Sequence, residues 1–325
     1  MKTVVTGGAG FVGSHLVEHL LDSGDDVVVL DNLSTGTLDN LATVAGHKNF
    51  RFVEGTVTDR RCVHDVMAGV DRVFHLAAAV GVRLIVDRPL ESLRTNIHGT
   101  ENVLDAALEA GADMLLVSTS EIYGKNTSDS LHEDSDRILG SPLISRWTYA
   151  AAKGIDEAFA HAYWRELGLD VAIVRLFNTV GPRQTGRYGM VVPNLVQQAL
   201  NGEPLTVFGD GRQTRCFSYV GDVVPSIVRI LETPESFGRA FNLGGSQEIS
   251  ILDLARRIIE LTGSPSPVTL VPYSQAYPAG YEDMRRRVPD NTRSRDLVGF
   301  RPTTTVDEII LHITGDLKAL APAVH

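Results

Sequence analysis

The sequence predicts an α/β protein with a Rossmann-type, doubly wound parallel sheet and a smaller C-terminal substrate-binding lobe. Short apolar strands alternate with helices through the first half of the chain, which is typical of a parallel sheet covered by helices. A glycine-rich turn joins the first strand to the first helix. The alternation stops after residue 176, where prolines and glycines break the chain into short pieces. We therefore expect residues 1–176 to form the sheet domain, residues 219–245 to return to it, and most of 177–325 to form the lobe.

The predicted elements follow in a regular order, because each short run rich in Val, Leu, Ile and Phe favours a buried strand and each amphipathic stretch favours a helix. In the first half, strands are predicted at residues 3–6, 26–31, 50–54, 72–76, 114–118 and 171–176, and helices from the end of the glycine run at residue 13 to about 21, and at 60–68, 89–110 and 149–167. In the second half, strands are predicted at 204–209 and 241–244, and helices at 219–231, 249–261 and 303–325. Residues 126–143 match no pattern.

The composition argues against several classes of function. Of the 325 residues, 43% are hydrophobic, enough for a full core, and 22% are charged. The net charge of -10 argues against nonspecific binding to nucleic acid or to a membrane surface. Cys62 and Cys216 lie far apart without a Cys-x-x-Cys pair, which favours reduced thiols. Met1 leads directly into a strand, and no apolar run reaches about 18 residues. We therefore expect a cytoplasmic protein with no membrane span and no metal.

The glycine turn carries the first functional signal. Gly7, Gly10 and Gly13 are spaced Gly-x-x-Gly-x-x-Gly and open the predicted helix, and we expect Phe11 and Val12, between the last two glycines, to face the same ligand. Residues without a Cβ permit a tight turn and let the backbone approach a pyrophosphate, while the helix N-terminus supplies N–H donors. A position after a strand and before a helix is the context that a dinucleotide site requires.

Two further strand ends extend this prediction. Asp31, about 20 residues beyond the glycines, can accept hydrogen bonds from a ribose diol and would repel a 2′-phosphate. The sequence thus favours NAD over NADP, with Asn32 beside the same strand end. Small residues at Ala77 and Ala78 leave room for a cofactor against the sheet edge, whereas His75 is predicted to be packed rather than catalytic.

Polar side chains follow the strand at 114–118. Because ligands bind at the carboxyl ends of strands in open parallel sheets, we expect this segment to face the site. We expect Ser118 to contact the cofactor. Thr119 and Ser120 can donate hydrogen bonds to a sugar hydroxyl or a keto oxygen, and Glu121 can exchange a proton.

A tyrosine and a lysine provide the predicted redox chemistry. Tyr149 and Lys153 are four residues apart, which places both side chains on one face of a helix. A tyrosine has a free pKa of about 10 and needs help to act as a base. A neighbouring ammonium favours the phenolate. The pair alone is weak evidence for this chemistry, and it gains support from the glycine turn and the polar strand ends.

Together, the glycine turn, Asp31, residues 118–124 and Tyr149-x-x-x-Lys153 resemble the extended short-chain dehydrogenase/reductase family, whose members modify nucleotide sugars with a bound NAD. The likeness extends to about residue 302. Within this family the chain looks most like the UDP-glucuronate decarboxylases, which it also resembles at residues 146–147 and 280–283. One departure is Thr56, at a position where relatives usually carry an aspartate that contacts adenine.

The resemblance implies roles for individual residues. It implies that Tyr149 is the base, that Lys153 holds the nicotinamide ribose, that Thr119 contacts the substrate, and that Arg287 lies at the sugar carboxylate. Further cofactor contacts are expected from Asn96 and Phe177, with Phe177 near the nicotinamide. Substrate contacts are expected from Asn178 and Arg215 at the phosphates, from Thr206 and Phe208 at the uracil, and from Val192 and Tyr281. Arginine suits a diphosphate because its planar fork makes bidentate bonds.

The family also implies a homodimer, formed by a four-helix bundle of residues 89–110 and 149–167 from each subunit. The side chains of Phe159, Ala160, Tyr163 and Trp164 could belong to that interface or to the core.

Four functions stay open at this point. In a UDP-glucuronate decarboxylase, oxidation at C4 creates a β-keto acid that loses CO2, giving a 4-keto pentose or UDP-xylose. A nucleotide-sugar 4-epimerase or 4,6-dehydratase shares the first step and differs in the second. A noncatalytic NAD-binding regulator would need neither Tyr149 nor Lys153.

Overall fold

The computed structural model describes residues 1–79, 88–186, 190–276 and 284–320. Tyr281, with the rest of residues 280–283, lies outside the described residues, as does the end of the predicted closing helix beyond residue 320. In these four ranges no helix has the length and apolar character needed to cross a membrane.

Seven parallel strands form the central sheet in the order β11-β6-β5-β4-β1-β2-β3. They are β1 (Lys2–Thr6), β2 (Asp26–Asp31), β3 (Phe50–Glu54), β4 (Arg72–His75), β5 (Asp113–Thr119), β6 (Val171–Leu176) and β11 (Ala240–Leu243). The strand order reverses between β1 and β4, where Thr6 pairs with His75 at the carboxyl edge. Open α/β sheets bind ligands at such a reversal.

The helices divide between the sheet and the lobe. Those at the sheet are α1 (Phe11–Asp22), α2 (Arg60–Met67), α3 (Pro89–Ala110), α4 (Thr148–Ala162) and α6 (Val220–Leu231). The others are α5 (Val191–Asn201), α7 (Ile251–Thr262), α8 (Tyr273–Ala276), α9 (Thr292–Val298) and α10 (Val306–Leu320). Two short 3-10 turns, Ser120–Tyr123 and Ser145–Trp147, follow β5 and precede α4.

Each face of the sheet has its own apolar core, so the sheet is wound on both sides. Leu16 of α1 and Ile227 of α6 are completely buried on one face. Met67 of α2 and Leu104 of α3 are buried on the other face, together with Ala160 of α4. Ala160 is therefore a core residue, and Phe159 and Tyr163 pack against the same core.

The smaller lobe has a third core, formed by α5, α7 and α10 around Leu195, Leu254 and Ile310. Its strands are β7 (Thr179–Val180), β8 (Leu205–Phe208), β9 (Thr214–Cys216), β10 (Ser218–Tyr219), β12 (Glu248–Ser250), β13 (Val268–Val271) and β14 (Arg286–Arg287). They pair as β10-β7, β13-β8 and β12-β9-β14. The division into two domains is retained as a proposal, which the return of α6 and β11 to the sheet supports.

The predicted elements exist, with differences at their ends. The helix predicted at 149–167 is α-helical only to Ala162 and then widens into a π turn, Tyr163–Leu167. The helix predicted from residue 249 begins at Ile251, because Ser250 ends β12 and its hydroxyl accepts a hydrogen bond from the N–H of Asp253 at 3.0 Å.

Candidate active site

The turn after β1 presents an uncapped helix N-terminus. Gly7 has a left-handed φ of 75°, and a Cβ there would lie 2.7 Å from the backbone that follows β4. A Cβ on Gly13 would lie 2.2 Å from the carbonyl of Gly7, so both positions require glycine. Gly10 supplies no capping side chain to α1. The first-turn N–H groups, including those of Phe11 and Val12, are therefore suited to a pyrophosphate.

Asp31 joins the end of β2 to this turn. One carboxylate oxygen accepts the N–H of Ala9 at 2.9 Å, and the other accepts the N–H of Leu33 at 2.8 Å. Burial raises the pKa of Asp31, and these two hydrogen bonds oppose that effect. Each oxygen keeps lone-pair capacity for a ribose hydroxyl. Asn32 is exposed, and its side-chain oxygen accepts the N–H of Ser34 at 3.1 Å.

The connection after β4 completes the floor of the groove. The N–H of Ala77 donates to Thr6 Oγ1 at 3.2 Å, and Ala77 and Ala78 are partly exposed. The amide oxygen of Asn96 accepts the N–H of Ala79 at 2.8 Å, and Asn96 is completely buried. Asn96 was predicted to contact the cofactor. The structure gives it an indirect position, because it holds the backbone that lines the groove.

His75 is packed, as predicted. Its ring nitrogens lie 2.7 Å from Thr6 Oγ1 and 3.0 Å from Thr100 Oγ1, and the side chain is inaccessible to solvent. Burial, followed by the charge of Lys153, lowers the pKa of His75 to about 3. His75 is therefore neutral near pH 7 and adds no charge to the site.

Tyr149 and Lys153 both lie in α4 and are buried. The Lys153 ammonium is 3.2 Å from Asp156 Oδ2, and within the described residues it makes no hydrogen bond. A buried ammonium with unused donors fits the ribose hydroxyls of a dinucleotide. Burial, followed by the charges of Glu121 and Asp156, raises the pKa of Tyr149. The simple expectation that Lys153 makes Tyr149 acidic is thus wrong for the protein alone.

Glu121 is held between two buried arginines. Its Oε1 lies 2.6 Å from Arg287 Nη1, and its Oε2 lies 2.5 Å from Arg146 Nη1. Arg287 also reaches Ser120 Oγ and Asn178 Oδ1, each at 3.3 Å. The chain therefore brings together residues from the 3-10 turn after β5, from the turn before α4 and from β14.

This arrangement fixes the protonation state of Glu121. Burial raises the pKa of Glu121, but the charges of Arg287, Arg146 and Arg215 outweigh that effect and lower it to about 2. Glu121 is thus ionised near pH 7 and cannot itself donate a proton. The Oγ1 of Thr119 accepts the N–H of Glu121 at 3.2 Å, which leaves the threonine hydroxyl hydrogen available to a substrate.

A buried polar network supports this cluster from beneath. The hydroxyl of Ser118 donates to Glu157 at 2.5 Å, and Glu157 pairs with Arg175 at 2.7 Å. Arg175 donates to the hydroxyl of Tyr123 at 2.9 Å, and Tyr123 donates to Asn242 at 2.8 Å. The Ser118 hydroxyl is thus already engaged by Glu157, and its predicted cofactor contact stays a prediction.

The predicted substrate residues separate into two groups. Arg215 on β9 is the register partner of Arg287 on β14, so two arginines lie side by side next to Asn178. Thr206 and Phe208 lie on β8 and are partly exposed. By contrast, the side chains of Val192 and Phe177 are buried in apolar cores, so a contact from either would run through the backbone or through packing.

Sequence reasoning missed the role of Arg146 and the placement of residues 126–143. Leu131 pairs with Pro289 in a β-bridge, and the buried carboxylate of Glu133 accepts the N–H of Asn242 at 2.8 Å. Arg137 donates to the carbonyl of Ala150 on α4 at 3.2 Å. The signal for Arg146 in the sequence was its position three residues before Tyr149, which contributed to the family resemblance but did not predict an ion pair with Glu121.

The fold and the groove define a Rossmann-type enzyme that takes a dinucleotide. The model of the NAD dependent epimerase/dehydratase family matches residues 3–244, and the chain belongs to that family. This membership confirms the predicted family, the predicted fold class and the predicted dependence on NAD.

Individual relatives agree with this assignment. The chain is 38% identical over 308 residues to the UDP-N-acetyl-alpha-D-glucosaminuronate decarboxylase of Bacillus cytotoxicus, covering 94% of each chain. It is 38% identical over 309 residues to the UDP-glucuronic acid decarboxylase 1 of Xenopus tropicalis, covering 94% of this chain and 70% of that protein. The solved UDP-glucuronic acid 4-epimerase of Bacillus cereus, in complex with UDP-glucuronic acid and NAD, superimposes with a TM-score of 0.88 at 29% identity, covering 99% of this chain and 100% of that one.

Proposed function

We propose that this enzyme is an NAD-dependent UDP-hexuronate decarboxylase, with UDP-glucuronate as the first substrate to test. The observation that carries the proposal is the ion-pair cluster at Glu121, where three guanidinium groups face one carboxylate. In a protein with a net charge of -10, such a local excess of positive charge suits a substrate that carries both a diphosphate and a carboxylate. The decarboxylase names of the relatives support the same class of substrate.

The first step is oxidation at C4. Bound NAD⁺ supplies the hydride acceptor. Tyr149 Oη takes the proton of the 4-hydroxyl, and the unused donors of Lys153 hold the nicotinamide ribose. The positive charge that the nicotinamide of NAD⁺ would add near the phenol when bound would favour the ionised form of Tyr149, and so oppose the effect of burial and of Glu121 on its pKa.

The second step is loss of CO2. Oxidation at C4 makes the substrate a β-keto acid, so the C5–carboxylate bond can break with its electrons entering an enolate at C4. The hydroxyls of Thr119 and Ser120 and the protonated phenol can stabilise that oxyanion. Arg287 positions the carboxylate. Because Glu121 is ionised, we assign the protonation of C5 to a water that Glu121 orients and not to its own carboxyl group, and a proton from the solvent neutralises the hydroxide that this water leaves. Return of the hydride from the bound cofactor would give UDP-xylose, whereas early release would give the 4-keto pentose.

Purified enzyme incubated with UDP-glucuronate tests the proposal. We expect CO2 release and a pentose nucleotide that mass spectrometry and NMR identify. Arg287→Gln should abolish CO2 release, whereas Arg286→Gln is a matched control, because Arg286 is the exposed neighbour that pairs with Glu248. A 4-epimer of the substrate without CO2 would show an epimerase, and a 4-keto-6-deoxy product from a neutral sugar nucleotide would show a dehydratase.

We further propose a homodimer formed by α3 and α4 of each subunit. These helices pack side by side, and each carries a large exposed apolar residue, Leu90 on α3 and Ile155 on α4. Light scattering should give a molar mass twice that of one chain, and the Ile155→Arg variant should have the mass of a single chain. A monomeric wild type would overturn this proposal.

The free state of Cys62 and Cys216 supports a reducing, cytoplasmic location.

A further inference from the structure

The two arginines on Glu121 are held in different ways. Arg146 lies in the 3-10 turn that leads into α4, and its guanidinium is 5.5 Å above the ring of Trp147. Its ion pair to Glu121, at 2.5 Å, links the start of α4 to the end of β5. Arg146 is thus fixed on both sides by groups that belong to the sheet domain.

Arg287 has weaker ties to its surroundings. It lies on the two-residue strand β14, and its contacts to Ser120 and Asn178 are both at the long distance of 3.3 Å. The strong contact that Arg287 makes to a neighbouring side chain is the one to Glu121, at 2.6 Å. A second carboxylate could therefore take the place of Glu121 on Arg287.

We propose that Arg146 is a positioning residue, which stays paired with Glu121 so that Arg287 can exchange Glu121 for the carboxylate of the substrate. The proposal rests on the proposed function in one respect only, namely that the substrate carries a carboxylate. It assigns to Arg146 the selectivity for UDP-hexuronates over neutral UDP-hexoses.

The physical reason is the cost of a buried carboxylate without a counter-charge. With Arg146 present, Glu121 keeps one short ion pair after Arg287 leaves. Without Arg146 and Arg287, the groups among the described residues that are coupled to Glu121 by charge are Arg215 and the phenol of Tyr149, and no ion pair within that part of the chain joins either to Glu121. Glu121 would then take up a proton whenever Arg287 moved to the substrate.

Calorimetric titration of the NAD-loaded enzyme tests this exchange. All variants carry Tyr149→Phe, which prevents turnover, and each is titrated with UDP-glucuronate and with UDP-glucose. Arg146→Gln should lower the affinity for UDP-glucuronate on the order of 10-fold or more relative to the affinity for UDP-glucose. In two buffers of different ionisation enthalpy, this variant should bind UDP-glucuronate with net proton uptake. Its affinity should fall as pH rises, because the complex then needs a protonated Glu121.

Two variants control for a purely structural role. Arg146→Lys keeps the charge and should recover part of the selectivity without proton uptake. Arg137→Gln removes an exposed arginine that donates to the carbonyl of Ala150 on α4, the helix that Arg146 precedes. This variant should bind both nucleotide sugars with unchanged affinity. If Arg146→Gln lowered the affinity for both nucleotide sugars equally, with no proton uptake, the exchange would be overturned and the role of Arg146 would be to stabilise the fold.

The outcome is separable from that of the proposed function. A parent enzyme that prefers UDP-glucuronate over UDP-glucose, and loses that preference with Arg146→Gln, supports the exchange even where no CO2 is released. CO2 release with unchanged selectivity in Arg146→Gln supports the decarboxylase and rejects the exchange.

Discussion

The two edges of the central sheet both bury an arginine with acidic partners, and they use it differently. At the amino edge, Arg72 of β4 pairs with Asp25 at 2.8 Å and with Glu232 at 2.8 Å, and its Nε donates to Thr3 at 3.1 Å. Each polar side-chain nitrogen of Arg72 thus has a partner, and Asp25 also receives the N-terminal ammonium at 3.3 Å.

At the carboxyl edge the charges do not balance. Glu121 is outnumbered by arginines, and the buried nitrogens Lys153 Nζ and Arg287 Nε make no hydrogen bond to any described residue. Buried polar groups without partners are costly, so such atoms mark a place that a ligand completes. The comparison teaches that a matched buried cluster stabilises the fold, whereas an uneven one in the same sheet prepares a binding site.

The largest effect should come from the carboxyl edge. Tyr149→Phe should lower kcat by up to about 10,000-fold, because general base catalysis typically contributes about 100- to 10,000-fold. Its melting temperature and NAD affinity should change little. Tyr163→Phe, at the end of the same helix, removes a hydroxyl that binds Asp105 and should leave kcat unchanged. If Tyr149→Phe kept most of its turnover, the assigned base would be wrong and a noncatalytic NAD-binding role would regain support.

The amino edge should show the opposite behaviour. Arg72→Met leaves Asp25 with the N-terminal ammonium at 3.3 Å and the Thr3 hydroxyl as its partners, so the loss should be at or below the roughly 3–5 kcal/mol of unfolding free energy that breaking a buried ion pair typically costs. Chemical denaturation measures this loss. The kcat of the folded fraction should equal that of the wild type. A fall in kcat without a fall in stability would show that the two edges are coupled.

The sequence predicted the fold well because its signals are local. Runs such as Val27–Leu30 are apolar and rich in β-branched valine, and the turns between elements carry glycine, so the predicted ends of the sheet strands fall within one or two residues of the observed ones. The π turn at Tyr163–Leu167 was missed, since its side chains have the same periodicity as an ordinary helix over so short a length.

The site was only partly predictable for the opposite reason. Tyr149, Lys153 and Glu121 could be named from local motifs, but the pairing of Glu121 joins positions 121, 146 and 287, and no spacing rule connects them. The buried position of Asn96 and the docking of residues 126–143 through Glu133 likewise depend on tertiary contacts. Charge and motif could therefore indicate which residues matter, while their protonation states required the geometry.

The smallest predicted effect is a shift in pH dependence that connects the cluster to the base. The Glu121 charge raises the pKa of Tyr149, so removing it in Glu121→Gln should lower that pKa. The limb of the pH profile that reports deprotonation of Tyr149 should move to lower pH, measured as the rate of NADH formation on mixing with UDP-glucuronate. Glu248→Gln, whose carboxylate pairs with Arg286 outside the cluster, should leave the limb in place. A limb that stays fixed or moves to higher pH in Glu121→Gln would show that the two arginines already cancel the Glu121 charge at the phenol, and the uneven cluster would then act on the substrate alone.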